Sequence, residues 1–379
     1  RQARIGGMIP VTYRASFSSL LRHPWQLVLS LLGIVIGVAV IVAVDLANSS
    51  ARKAFLMSMD AITGEGMSLA FASAALLAAA TVMAEEADLD IRYAEHLPLV
   101  PESMFLDITR TDDGVLVAVG ERGHVLRSED GATWDQAEVV PTQVTLTTVE
   151  SRGGRLWAAG HDAVIITSGD NGRTWTLEYH DSERQQAVMD LYFTDEFNGV
   201  AIGSYSLYLR TSDGGRTWED VTIDEEGGYH LNSMLRFEDG RRLIAGEAGY
   251  SYRSFDDGET WELMDMPYLG SMWGALRTGD EFVLFFGLRG HVLESCDFGT
   301  TWTELDIETE SSISDGARFG ALTVLAANSG TLLTRKDDGP FRVLKHSSGV
   351  DFAGVSALPD GHFLLVGEDG IFSYPEPAG

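Results

Sequence analysis

One eight-residue pattern constrains this chain more than any other feature. Ser168 to Trp175 reads SGDNGRTW, Thr211 to Trp218 TSDGGRTW, Ser254 to Trp261 SFDDGETW, and Ser295 to Trp302 SCDFGTTW. These are four full copies of Ser/Thr-x-Asp-x-Gly-x-Thr-Trp, beginning 43, 43 and 41 residues apart. SEDGATW (Ser128 to Trp134) is a copy one residue shorter, and RKDDGPFR, from Arg335, is an eroded one. A chain that repeats at this period must build like units that bury their faces against one another, so the repeat is read before anything else.

A second feature keeps the same period. The runs VAVGERGHVLRS, WAAGHDAVIITS, VAIGSYSLYLRTS, LIAGEAGYSYRS, LFFGLRGHVLES, VLAANSGTLLTR and LLVGEDGIFSY carry Gly120, Gly160, Gly203, Gly246, Gly287, Ala327 and Gly367 at one shared position. Each run is too short for a helix and rich in Val, Leu, Ile and Tyr, which predicts two strands joined by a tight hairpin. The shared glycine is expected to supply the positive φ of that hairpin. A further strand precedes each pair and another follows it, as in Thr174 to His180. Four strands per unit predicts an all-β, seven-bladed β-propeller; a solenoid is the alternative. LDIRYAEH (Leu89 to His96) matches the outer-strand pattern and is expected to complete the last blade, pairing its open edge.

The box falls between third and fourth strands, so it is a turn. Its Asp and Ser/Thr side chains can accept the turn's own N–H groups, its Gly permits the backbone, and its Trp can wedge beneath. The expected structural residues are Ser168, Asp170, Gly172 and Trp175; Thr211, Asp213, Gly215 and Trp218; Ser254, Asp256, Gly258 and Trp261; and Ser295, Asp297, Gly299 and Trp302. A calcium loop would need oxygen ligands at positions 1, 3 and 5 and a Glu at 12, which no copy provides. Neither a zinc spacing nor a cofactor motif is present, and the lone Cys296 excludes an internal disulfide.

The pattern is identified as the Asp-box of bacterial-neuraminidase-type propellers, a group with both enzymes and non-enzymes. A sialidase would need an arginine cluster and a Tyr–Glu pair with a separate Asp. Arg122, Arg210, Arg253 and Arg289 are available, but their placement selects no trio, and the one Ile-Pro is Ile9-Pro10. The chain is therefore expected to be no enzyme, with a sialidase-like glycoside hydrolase or carbohydrate-binding propeller as the alternative. Leu191 to Trp218, LYFTDEFNGVAIGSYSLYLRTSDGGRTW, resembles the unit of the photosystem II stability/assembly-factor family, over residues 89–374. That resemblance implies an exported, non-catalytic propeller acting as an assembly, stability or scaffolding factor for a membrane complex. Photosynthetic members present a basic patch to their partner. Here, six Lys/Arg against Asp45, Asp60 and Glu65 in residues 1–84 leave 21 basic and 53 acidic residues beyond, a net of −32. The expected partner is accordingly a different membrane or envelope complex, a transporter among the options, and nucleic acid is excluded.

The first 84 residues read differently. Trp25 to Val44 is an uncharged run of 20 residues, long enough to span a bilayer. With the preceding MIPVTYRASFSSLLRHP it resembles the N-terminus of FtsX-type ABC-exporter permeases, over residues 8–64. Met67 to Ala84 is a shorter, Ala-rich run with Val82 and Ala84 placed as for signal-peptide cleavage; a second span is the rival reading. The expected organisation is a permease-like segment (1–64, transmembrane helix 25–44), a signal-like segment (65–84) and a propeller (85–379). The tandem export signals, with Met8 and Met67 both start-like, suggest a joined reading frame. The expected location is periplasmic or extracytoplasmic, anchored at the inner membrane where the N-terminal segment is retained, with a monomeric propeller.

Binding-surface candidates are few. Arg122 and His124 in ERGHVLRS, and Arg289 and His291 in LRGHVLES, place an Arg-Gly-His at one hairpin in two blades. Tyr205, Tyr208, Tyr250 and Tyr252 could form an aromatic face or pack between blades.

Overall fold

The computed structural model describes residues 91–181, 183–224 and 227–375. The permease-like and signal-like segments lie outside these residues. Among the described residues no helix is long and apolar enough to cross a membrane.

Seven antiparallel sheets follow one another along the chain, at 105–136, 146–179, 188–220, 231–263, 272–304, 313–345 and 352–374. Six have four strands, ordered as in the sequence, and the seventh has three among the described residues. The second strand of each blade is buried along almost its whole length, as in Gly199–Gly203 and Val283–Gly287. It lies between two strands and its sheet is covered on both faces, so it reads as a continuous apolar run. Among the described residues there is no single core. Apolar side chains form seven clusters, each shared by two neighbouring blades, the last joining Leu364 and Val366 of blade 7 to Phe105, Ile108 and Leu116 of blade 1. That closes the ring.

The closure differs from the sequence expectation. Residues 91–96 do not complete blade 7. Ala94 N–H donates to Val140 O at 3.0 Å, and Gln136 and Gln143 donate to Glu95 O and Tyr93 O at 2.7 and 2.8 Å, so this segment lies along the outside of blade 1. The following stretch carries Pro98 and Pro101, which cannot donate to a ladder. It instead sets Val100 into the cluster between blades 1 and 7, with Pro101 O against Gly370. Apolar packing rather than strand addition joins the ends.

The boxes behave as the sequence predicts. In the third blade Thr211 Oγ1 donates to Asp213 Oδ1 at 2.9 Å and accepts Gly215 N–H at 3.0 Å. Asp213 also takes the Thr217 N–H and hydroxyl at 3.0 and 2.7 Å, and Trp218 Nε1 donates back to Gly215 O at 2.9 Å. The copies at Asp170, Asp256 and Asp297 repeat the Ser/Thr and Asp bonds. Trp175 and Trp261 repeat the indole bond. Trp302 departs from it, its buried Nε1 having no hydrogen-bond partner. Asp213→Ala is expected to lower unfolding free energy by about 1–2 kcal/mol, because three bonds at a solvent-facing turn are lost. A denaturant melt checks this; an unchanged midpoint would remove the box from the stability account.

The shared glycines need a different explanation from the predicted one. Gly120, Gly160 and Gly203 have φ of −168°, −173° and −177°, which is extended backbone. The left-handed residues come two and three positions later: Arg122 (φ 55°, ψ 26°) and Gly123 (φ 71°), closed by His124 N–H to Glu121 O at 2.9 Å. This is the geometry of a type I′ hairpin turn. A Cβ at Gly203 would lie 1.9 Å from Ala187 O, and at Gly120 2.1 Å from Met104 O. The glycine is there because the preceding strand's backbone passes too close for a side chain.

Candidate functional site

That close approach marks a β-bulge. In every blade the pairing of first and second strands skips one first-strand residue next to the shared position: Leu106, Thr147, Met189 and Asn232 in blades 1–4, then Trp273, Ser314 and Ala353. A bulge leaves its extra residue unpaired and re-aims it. Because the bulge recurs at the same end of all seven innermost strands, it arranges seven re-aimed residues around one end of the central channel.

In blades 2–5 these residues form a cavity. Thr147, Met189, Asn232 and Trp273 line it together with His230, Glu247 and Ser271, and its volume is 340 Å³. Trp273 is 36 % exposed. Glu247 Oε2 accepts the His230 N–H at 3.2 Å, and His230 Nδ1 accepts the Tyr205 N–H at 3.3 Å. Asn232 Nδ2 donates to Met272 O at 2.8 Å, tying blade 4 to blade 5. Beside the cavity, Tyr205 is 62 % exposed and edge-on to His230, while Tyr229 and Tyr250 stack with centroids 3.7 Å apart. Of the four tyrosines the sequence singled out, Tyr205 and Tyr250 join this face. Tyr208 and Tyr252 are buried between blades.

The residue after the bulge is acidic in three blades. Asp107, Asp190 and Asp315 each accept a main-chain N–H from the next blade, from Val149, Met234 and Val355, at 2.7, 2.7 and 2.8 Å. These acids, with Glu150, lie deep in the ring while keeping partial contact with the channel. Burial raises all four above the usual carboxylate range, and repulsion from the neighbouring acids adds to it for Glu150, Asp190 and Asp315. Asp190 and Asp315 are pushed up to about 7 and Glu150 to about 8. The sequence reading assigned them no role. The signal was present: aligning the first strands puts the Asp of LDIT, MDLY and SDGA in one column.

A pH dependence follows. A carboxyl whose pKa rises on folding stabilises the fold when protonated. That contribution is complete below its unfolded value near 4 and is lost as pH climbs through about 7 to 8 for the channel acids. The box carboxylates act in reverse: side-chain and main-chain bonds from Thr217 hold Asp213 at about 2, so its contribution is lost only as pH falls below the unfolded value toward 2. The melting temperature is expected to decline from pH 5 to pH 8, with a shallower decline in Asp190→Asn. A wild-type melting temperature that rises over this interval would contradict the assignment.

The two Arg-Gly-His hairpins do not come together. They belong to blades 1 and 5, which are not neighbours, and they differ in environment. His124 is 2 % exposed with an unpartnered Nδ1, and burial lowers its pKa. His291 is half-buried, stacked on Tyr268 at 3.8 Å, with Nδ1 against Glu304. Arg122 and Arg289 are exposed left-handed turn residues. Arg289 and His291 line a separate 430 Å³ depression on blade 5. Arg210 and Arg253 sit at the other end of their blades, one residue before the boxes, paired with Glu259 and Glu262. The four arginines thus do not converge on one substrate carboxylate. Among the described residues no three His, Cys, Asp or Glu side chains are grouped to hold a metal ion.

Comparison with known proteins agrees with this architecture. The sequence profile of the family described as photosynthesis system II assembly factor YCF48 matches residues 178–318, from the end of blade 2 to the first strand of blade 6. All the cavity residues except Thr147 fall in that stretch. No protein of curated function matches the sequence. Among solved structures, YCF48 from Cyanidioschyzon merolae aligns with a TM-score of 0.58 and 16 % identity, over 74 % of this chain and 97 % of that one. A structure described as YCF48 bound to D1 peptide aligns at 0.60 and 18 %, over 74 % and 98 %. A streptogramin B lyase aligns at 0.63 and 13 %, over 76 % and 98 %, so the fold itself does not select a function. By its seven blades, its Asp-boxes and the sequence of its middle repeats, the chain resembles the photosystem II assembly-factor family YCF48.

Proposed function

We propose that this propeller is a non-catalytic assembly or scaffolding factor that holds a protein of a membrane or envelope complex against the bulge end of its channel. The observation that carries this reading is the overlap of the family match with the cavity and aromatic face of blades 3–5. A structural neighbour described as bound to a D1 peptide supports peptide binding as the mode. The reading places the propeller on the extracytoplasmic side of the membrane, monomeric, and anchored through residues 25–44 where they are retained. With a net of −32 beyond residue 84, its partner differs from one that needs a basic surface.

Affinity purification of the full chain from solubilised membranes tests this. A defined membrane complex is expected to co-purify, and recovery of the chain alone under several detergents would count against the proposal. The glycosidase alternative has a direct assay: no turnover of a fluorogenic sialoside is expected, and turnover abolished by substitution of Arg210 or Arg253 would overturn the non-catalytic reading.

A further inference from the structure

We propose that the channel-mouth cavity of blades 2–5 receives a lysine or arginine side chain from an apolar segment of the partner protein. The inference rests on the reading of the propeller as a protein-binding module and names the chemistry of what it binds.

Charge and shape point the same way. No Lys or Arg lines the cavity, and its one carboxylate is Glu247. His230 Nδ1, which is 3.3 Å from the Tyr205 N–H, also lies 3.3 Å from Glu247 Oε2, so the carboxylate has an imidazole beside it and no permanently charged cation among the cavity residues. Glu247 Oε2 is engaged by a main-chain N–H, which orients the carboxylate without cancelling its charge. Asp190 follows Met189 directly, and Glu150 lies further along the neighbouring first strand, so any charge they carry adds to the same sign of field. Around the acid stand Met189 and the exposed Trp273, with Tyr205 beyond. An indole face attracts a cation, and the methylenes of Lys or Arg cover apolar surface while the charged head reaches an acceptor. At 340 Å³ the cavity sits at the small end of ligand sites, the scale of one or two side chains rather than a cofactor. A carboxylate-ended or acidic segment would meet Glu247 unpaired and be rejected.

The test uses the purified full chain labelled with 5-fluorotryptophan, whose eight tryptophans give eight fluorine resonances, that of Trp273 being assigned by Trp273→Phe. Three probes are titrated: acetyl-LLKLL-amide, the same peptide with norleucine for lysine, and the same with glutamate. The Trp273 resonance is expected to move with the lysine peptide at the lowest concentration, with norleucine about 10-fold higher, and not with glutamate. Glu247→Gln is expected to bring the lysine peptide to the norleucine value. Equal responses to lysine and norleucine, or a Trp273 signal that no peptide moves, would overturn the proposal. Co-purification separates this from the broader reading. If Glu247→Gln and Trp273→Ala retain the membrane complex as wild type does, the cationic anchor is wrong and the scaffold reading stands. If the lysine peptide binds as described but wild type purifies alone, the scaffold reading is the one that fails.

Discussion

Trp157→Ala is expected to be among the most damaging single substitutions in the propeller, at about 3–5 kcal/mol. Trp157 is fully buried in the second strand of blade 2 and stacks on Phe193 of blade 3 with ring centroids 3.8 Å apart and planes 12° from parallel. Its Nε1 donates to Gly214 O at 2.9 Å, inside the third blade's box. One side chain thus joins a blade core to its neighbour's turn. Removing it opens a cavity between two sheets and leaves a buried carbonyl without its donor. Trp157→Phe keeps much of the stack and loses the hydrogen bond, so a smaller loss is expected. Denaturant unfolding measures both. A loss for Trp157→Ala no larger than for an exposed substitution would show that inter-blade packing does not carry the stability.

Gly203→Ala is expected to cost toward the top of the about 1–3 kcal/mol typical of overpacking. With φ of −177°, Gly203 could host any residue as far as its own backbone is concerned. The added Cβ would meet Ala187 O at 1.9 Å and Ala187 C at 2.9 Å, and backbone cannot swing aside as a side-chain tip can. Asn separates the two accounts of this glycine. It tolerates left-handed backbone better than Ala, so it would rescue the site if positive φ were the requirement. Steric exclusion predicts Asn to be no better than Ala. Blade 6 already has Ala327 at this position, and Ala327→Gly is expected to be mild by comparison.

The contrast between these sites explains what the sequence could show. The box is local: Ser/Thr, Asp, Gly, Thr and Trp within eight residues make their bonds to one another, so recurrence alone exposes both structure and role. Blade number follows from the same period. The glycine column was visible, but its cause was not, because the clashing carbonyl belongs to a residue 16 positions earlier, Ala187 for Gly203 and Met104 for Gly120. The bulge residues range from Trp to Ala, since an unpaired position imposes no residue type. Only the ring brings Met189, Asn232 and Trp273 to one cavity. Tyr208 and Tyr205, three residues apart, show the limit of composition: one is buried against Trp261 and the other stands in solvent on a turn. Leu89 to His96 matched an outer strand by pattern, yet a pattern does not name its partner, and Ala94 found Val140.

The central claim is that the bulge end of the channel, and not the box end, is the surface that holds a membrane partner. Site-specific photo-crosslinking of the full chain in its native membrane tests it, with the reactive side chain placed at Tyr205 in one variant and at Glu259 in another. Tyr205 lies beside the cavity, and Glu259 lies within the third full box, that of blade 4, on the opposite side of the blades. The account predicts a discrete adduct with an integral membrane protein from position 205, lost in the Glu247→Gln background, and none from position 259. An adduct from position 259 with none from position 205 would contradict it.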